Sequence, residues 1–286
     1  MHYMNIKEII KSRYSCRSFV QTPLKPADKE TLINYIAEDN KGLSDETVNL
    51  KIIEKIDSDR HMKLNYGMVQ GHNSYVLGIS KSTVDSRVNY GYLLEKVVLK
   101  ATEMDISTCW IGYFDYGYFD ELSIEDGFEI PSIVIVGYSE EKHPYMDKLG
   151  RFTIKASKRH SWDMLFFDYN LKAPLNPEQA GEYSDSLEMV RLAPSSLNAQ
   201  PWRVFFDETE KEFHFYKKSV SQRFELRGLH DIDMGVALSH FELTSLQTGL
   251  AGIWLQYPPG VVNSIDDLQY IRTWKCDFSI SEGFRT

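Results

Sequence analysis

Two periods of apolar and polar positions run through this chain, and they sort it into elements. Residues 88–111 (VNYGYLLEKVVLKATEMDISTCWI) set Leu94, Val98 and Ala101 at helical spacing. They predict a long helix over 88–104 leading into a strand over 107–112. Residues 232–255 (IDMGVALSHFELTSLQTGLAGIWL) set Leu243, Leu246 and Leu250 the same way. Here the prediction is a helix over 231–249 and a strand over 251–256. Further helices are predicted over 4–12, 27–38 and 178–192. Short apolar runs predict strands over 48–54, 74–80, 132–138, 202–207 and 212–217, with a β-rich stretch over 268–280. The polar, irregular residues 139–157 read as a connector. Short strands in hairpin-like pairs, mixed with long helices, argue for an α+β fold over a doubly wound parallel sheet.

The two helix-to-strand segments also match residue by residue. At an offset of 144, Gly91 matches Gly235, Leu99 matches Leu243, Ile106 matches Leu250 and Trp110 matches Trp254. Near the start of each half, Arg13-Tyr14-Ser15 matches Arg159-His160-Ser161 at an offset of 146. Pro23-Leu24-Lys25-Pro26 then matches Pro174-Leu175-Asn176-Pro177 at an offset of 151. Each match alone is weak enough for chance, but three in one order at nearly constant offset point to an internal duplication. The expected organisation is a repeat over residues 1–150 and a second over 151–286. Each repeat should hold a mostly antiparallel sheet flanked by helices.

Charge narrows the choice of partners. Lys and Arg number 32 against 41 Asp and Glu, giving −9 over 286 residues. A net negative surface repels polyphosphate, so neither nucleic acid nor an anionic membrane is an expected partner. Any anion must be held by a local cluster of cations. No apolar stretch approaches the ~18 residues of a spanning helix. The opening MHYMNIKEII carries Glu8 and does not read as a signal peptide. Three cysteines, far apart and odd in number, fit a reducing compartment, so a cytoplasmic location is expected. No cysteine pair has zinc-ligand spacing and HExxH does not occur, so no metal is expected. The common phosphate-loop and nucleophile-elbow motifs are missing as well.

Four places carry candidate chemistry. In Ser12-Arg13-Tyr14-Ser15-Cys16-Arg17-Ser18-Phe19, two arginines four apart with a hydroxyl between them can converge on one anion. The alternative is a solvated helix end with arginine capping carbonyls. In Ala193-Pro194-Ser195-Ser196-Leu197-Asn198-Ala199-Gln200-Pro201-Trp202, two prolines stiffen a loop dense in hydroxyls and amides. It suits a heteroaromatic ring with a polyol chain, or it is an ordinary turn before a strand. The strand end Thr108-Cys109-Trp110-Ile111-Gly112-Tyr113 has a glycine that lets a flat ligand approach the backbone, unless its Trp is simply core. Lys148 and Arg151 in the connector add two cations, which are either part of a phosphate site or solvated.

Together the arginine element and the APSSLNAQPW loop resemble the nitroreductase family of flavin enzymes. The helix into TCWIG, the strand around 130–138 and Lys148 with Arg151 follow that family's order, so the resemblance spans nearly the whole chain. It implies a nitroreductase-like α+β fold. There is one departure: the family carries both motifs close together in one repeat, whereas here the loop lies in the other half. In the second half, Asp163 stands where the second arginine belongs, and an aspartate there repels phosphate. Each half keeps one motif of the pair. Family members are homodimers with FMN across the interface. The chain therefore resembles the fused, single-chain TM nitroreductase branch, an intramolecular pseudo-dimer with one site left. A monomer is implied, open to further dimerisation.

By that resemblance Arg13, Ser15 and Arg17 hold the FMN phosphate, Tyr14 assists through its backbone, and Lys148 and Arg151 complete the charge. Pro194, Ser195, Ser196 and Asn198 line the flavin, with Gln200 supporting the loop. Trp110, Ile111 and Gly112 border the ring, and the region of Tyr66 and Gly67 contacts its pyrimidine edge. The resemblance implies NAD(P)H as reductant and a small-molecule electron acceptor: a nitroaromatic, a quinone or a flavin. It names no catalytic side chain. Two alternatives stay open: a flavin-binding or flavin-handling protein without reductase turnover, and a structural protein keeping only the fold.

Overall fold

The computed structural model describes residues 5–38, 42–44, 48–55, 69–139, 158–170, 172–258, 260, 262–265 and 267–277. The chain divides into two compact units, one of residues 11–157 and one joining residues 1–10 to 158–286. Residues 1–10 thus fall with the second half of the chain, not with the repeat over 1–150 expected from the sequence. Helix α1 (Ile6–Ser12) explains their place. The Ile6 N–H donates to Gln247 Oε1 at 2.7 Å, and Lys7 Nζ meets Asp185 Oδ2 at 2.7 Å.

In the 11–157 unit the order is α2 (Pro26–Glu38), β1 (Lys51–Glu54), β2 (Ser74–Leu77), β3 (Ser80–Lys81), α3 (Val84–Glu103), β4 (Ser107–Ile111), β5 (Phe128–Glu129) and β6 (Ile133–Gly137). Four strands form an antiparallel sheet in the order β1-β2-β6-β4, and β3 pairs with β5 apart from it. All five residues of β6 are buried. A continuous apolar run is what a central strand covered on both faces requires. Helix α3 starts where Thr83 Oγ1 accepts the Ser86 N–H, with Asp85 in its first turn and Lys100 in its last. It is buried nearly all round, as an interior helix is.

In the other unit the order is β7 (Phe166–Asp168), α4 (Pro177–Ala180), α5 (Ser184–Leu192), β8 (Trp202–Asp207), β9 (Glu212–Lys218), α6 (Gln222–Glu225), α7 (Leu229–Gln247), β10 (Gly252–Leu255) and β11 (Leu268–Cys276). The sheet runs β10-β11-β9-β8-β7, antiparallel except for the parallel pair β7 and β8. Both units share one connectivity. In β1-β2-β6-β4 and in β8-β9-β11-β10, two strands are followed by a long buried helix. The next strand then lies at the sheet's far end, and the last fills the gap. The matched tryptophans lie on corresponding strands, Trp110 opposite Val134 and Trp254 opposite Trp274.

Two predicted elements end or break early. The strand over 74–80 ends at Leu77, because the Gly78 N–H donates to Tyr90 Oη at 3.2 Å and not to a neighbouring strand. The helix over 178–192 is two helices. Asn176 and Gln179 form a capping box with Pro177 in the first turn, and Gly181 at φ 57° then breaks the run. Elements of two to four residues (β3, β5, β7 and α6) are too short to give a periodic signal.

Candidate functional site

The arginine element lies extended against strand β4. Ser15 forms a parallel bridge with Thr108, and the Cys16 N–H donates to Thr108 O at 2.9 Å. Tyr14 Oη is 3.4 Å from Ser107 Oγ. Farther along, the Gln70 N–H donates to Arg17 O and the Phe19 N–H to Gln70 O. That close pass requires Gly71, at φ 71°, where a Cβ would stand 1.7 Å from Phe19 O. Cys16 and Phe19 sink into the core with Cys109, Ile111, Ile133 and Ile135. The fold thus brings together two of the predicted motifs, Arg13–Arg17 and Thr108–Gly112. Arg17 is buried, and its Nη1 reaches Ser15 O at 3.4 Å.

On β4 the indole of Trp110 is fixed by Glu95, a fully buried residue of α3, whose Oε2 accepts from Nε1 at 2.8 Å. Ile111 is core, so only its main chain is available to a ligand at this edge. Lys148, Arg151, Tyr66 and Gly67 lie outside the described residues.

The predicted polar loop sits between α5 and β8 as one 3-10 turn, Ser196–Asn198. Three of its residues take left-handed backbone: Leu197 at φ 47°, Asn198 at φ 60° and Gln200 at φ 49°. Such positions cost about 1–3 kcal/mol each for residues other than glycine and persist only where the surroundings enforce them. The enforcement comes from the loop's own polar groups. Ser195 Oγ accepts the Gln200 N–H at 2.9 Å, and Gln200 Nε2 donates to Asn198 O at 3.1 Å. Asn198 Nδ2 donates to Lys158 O at 2.6 Å. The Ser196 N–H and hydroxyl both donate to Asp233 Oδ1, at 2.9 and 3.2 Å. The amides and hydroxyls that read as ligand groups in the sequence therefore have partners inside the protein. Gln200 supports the loop as expected. Leu197 is 61% exposed at its tip.

The matching segment Arg159-His160-Ser161 belongs to the same scaffold. Arg159 Nη1 donates to Asn198 Oδ1 at 2.8 Å and Nη2 to Leu192 O at 3.0 Å. The His160 N–H donates to Gln200 Oε1 at 2.7 Å. Burial, then the nearby charges of Arg203 and Lys158, hold the His160 imidazole below its usual pKa.

Asp233, on α7, braces this loop and belongs to none of the sequence motifs. It is buried, and burial above all pushes its carboxyl up to about 8, with the charges of Asp231 and Glu225 adding. The two bonds from Ser196 pull the other way. In sequence Asp233 is one of several polar residues on α7, with His230, Asp231, Ser239, His240 and Glu242, and nothing local sets it apart. Among the described residues no cluster of His, Cys, Asp and Glu could hold a metal ion. Among them, too, no helix is long and apolar enough to cross a membrane.

The α+β fold, with its antiparallel sheets and long buried helices, is of the nitroreductase type. The family model described as "Putative TM nitroreductase" matches residues 5–245, and the chain belongs to that family. It is similar to the crystal structure of a putative nitroreductase from Thermotoga maritima at 21% identity, covering 96% of this chain and 94% of that one. The TM-score is 0.63, so the two share a fold. A nitroreductase family protein from Clostridium difficile 630 matches at 19% identity over 52% of this chain and 92% of its own, with a TM-score of 0.39. A nitroreductase with bound FMN from Bacteroides fragilis matches at 17% identity over 48% of this chain and 89% of its own, also at 0.39. No curated protein matches the chain significantly.

Proposed function

We propose that the protein is an FMN-dependent oxidoreductase that uses NAD(P)H to reduce a small nitroaromatic, quinone or flavin acceptor. The observation that carries this reading is the loop at 195–200. Its backbone is strained at three positions and braced at both ends, and such strain collects where a fold shapes a ligand site. Family membership makes FMN the ligand to test first.

The residues present fit that group. Arg13, Ser15 and Arg17 combine two guanidinium forks and a hydroxyl, a donor set suited to a phosphate dianion. Tyr14 serves through its backbone, and Lys148 and Arg151 add charge. The main chain of Trp110, Ile111 and Gly112 offers a flat edge, with the indole locked by Glu95. Pro194, Ser195, Ser196 and Asn198 shape the flavin side, chiefly by backbone, since their polar side chains brace the loop. When bound, FMN would supply the hydride-transfer chemistry. The protein's part is to hold the phosphate, seat the ring and keep the loop in place. The second copy cannot serve another phosphate, because Arg159 has both terminal nitrogens on protein carbonyls and Asp163 replaces the second arginine. One FMN per chain follows. The three well-separated cysteines suit work in a reducing cytoplasm.

The test is to release and quantify flavin from purified protein, then add NADH or NADPH without oxygen. One FMN per chain is expected, bleached by a nicotinamide and recovered on adding an acceptor. The Arg17→Gln variant should fold but bind FMN at least tenfold more weakly. Protein that binds no added FMN sinks the proposal, and two FMN per chain sinks the single site. Flavin that is bound but never bleached makes the protein a flavin-handling one.

A further inference from the structure

The braces on the strained loop are unequal. Its C-terminal half is held many times over: Asn198 by Arg159 and Lys158 O, and Gln200 by Ser195 Oγ and the His160 N–H. Ser196, the first residue of the turn, has its N–H and its hydroxyl on one atom, Asp233 Oδ1. That carboxyl comes from α7, a helix of 19 residues buried along most of its length. It is itself 4% exposed, so it cannot touch a ligand at the loop's surface.

We infer that Asp233 is a positioning residue for FMN. From inside the unit it fixes the start of the 195–200 loop, so that the turn is formed before the flavin arrives. This rests on the function proposed above. The carboxyl acts as a neutral group. Ionised, it would lie buried beside the acidic Asp231 and Glu225, and burial holds the proton on it at neutral pH. A neutral acid keeps one carbonyl-type oxygen for Ser196 and places its hydroxyl at Oδ2, which has no hydrogen-bond partner. Asparagine preserves that arrangement, with Oδ1 as acceptor and an amide nitrogen in place of Oδ2. Alanine removes it. Pre-forming a loop raises affinity by cutting the ordering cost of binding, so loss of the brace should weaken FMN without touching it.

The experiment compares the wild-type chain with Asp233→Ala and Asp233→Asn. Amide exchange of the peptide spanning 193–201 is followed in the flavin-free protein, and the FMN Kd is taken from flavin fluorescence. In Asp233→Ala, exchange should rise and Kd weaken about tenfold or more, while Asp233→Asn stays within about twofold of wild type on both. If Asp233→Ala does not fold, Asp233→Leu fills the volume without an acceptor and gives the same readouts. Unchanged exchange in the alanine or leucine variant overturns the brace. Faster exchange with unchanged Kd overturns the role toward FMN and leaves the proposed function standing. A wild-type chain that binds no FMN overturns both together. An asparagine variant as damaged as alanine refutes the neutral carboxyl.

Discussion

Asp233→Asn should stabilise the protein by an amount that grows with pH between about 4 and about 8. The carboxyl has an ordinary value of 3.8 in the unfolded chain and about 8 in the folded one. Burial is the largest cause, ahead of the charges of Asp231 and Glu225, which are themselves tied to Lys217 at 2.5 and 2.9 Å. Between those two pH values the native state holds a proton that the unfolded chain has released. Stability from this group is therefore complete below pH 3.8 and is lost as pH rises through about 8. Asparagine carries no such titration. At about 1.4 kcal/mol per pH unit, the variant should gain at most about 4 kcal/mol on wild type between pH 5 and pH 8. Relaxation around the ionised group makes the measured gain smaller. At roughly 2 °C per kcal/mol for a chain of this size, the difference in Tm should widen by several degrees. Thermal melts of both proteins at half-unit steps from pH 4.5 to pH 8.5 would show it. A difference that stays flat, or that narrows as pH rises, refutes the buried neutral acid.

His214 should give the opposite slope. Burial holds its imidazole down to about 4 from 6.5, with Nδ1 2.8 Å from Thr273 Oγ1 and the ring against Tyr169. Its contribution is present above pH 6.5 and lost as pH falls toward 4, so His214→Gln should resist acid by up to about 3 kcal/mol, read from urea midpoints at pH 6.5 and 4.5. Equal shifts in both proteins would rule this out. Glu95→Met should cost about 1–3 kcal/mol by leaving the Trp110 indole N–H without its acceptor, while Glu95→Gln keeps most of the stability. Thermal melts of the two variants decide it, and equal losses would contradict the role of the Trp110 bond.

Much of the fold was legible because its long elements have strong periods. The helix expected over 231–249 is observed at 229–247, and the strand at 202–207 is matched to the residue. The helix over 178–192 misled because its apolar spacing runs on through Gly181, where a positive φ ends the first turn. The site was legible as motifs but not as an arrangement. Nothing local tells Ser15 to pair with Thr108; that bridge comes from how the sheet closes. The composition of the 193–202 loop was plain, yet its polar side chains turned out to brace the backbone. That depends on Arg159 and Asp233, residues tens of positions away in sequence. Asp233 carries no local signal: it shares α7 with His230, Asp231, His240 and Glu242, and only the tertiary packing sets it against Ser196.

The two matched arginine segments do different work in their units. In the first, Arg13 and Arg17 flank Ser15 on an extended segment whose backbone is held by β4 and by residue 70. In the second, Arg159 does structural work through its two terminal nitrogens, and the residue it holds, Asn198, sits at φ 60°. Turning that guanidinium toward a phosphate would remove two charge-assisted hydrogen bonds from a strained turn. An acidic residue at position 163 is therefore no loss to this unit, since the first arginine was already committed to the loop. The same commitment explains why a loop so rich in side-chain donors can offer mainly its backbone: the donors and their partners hold its shape.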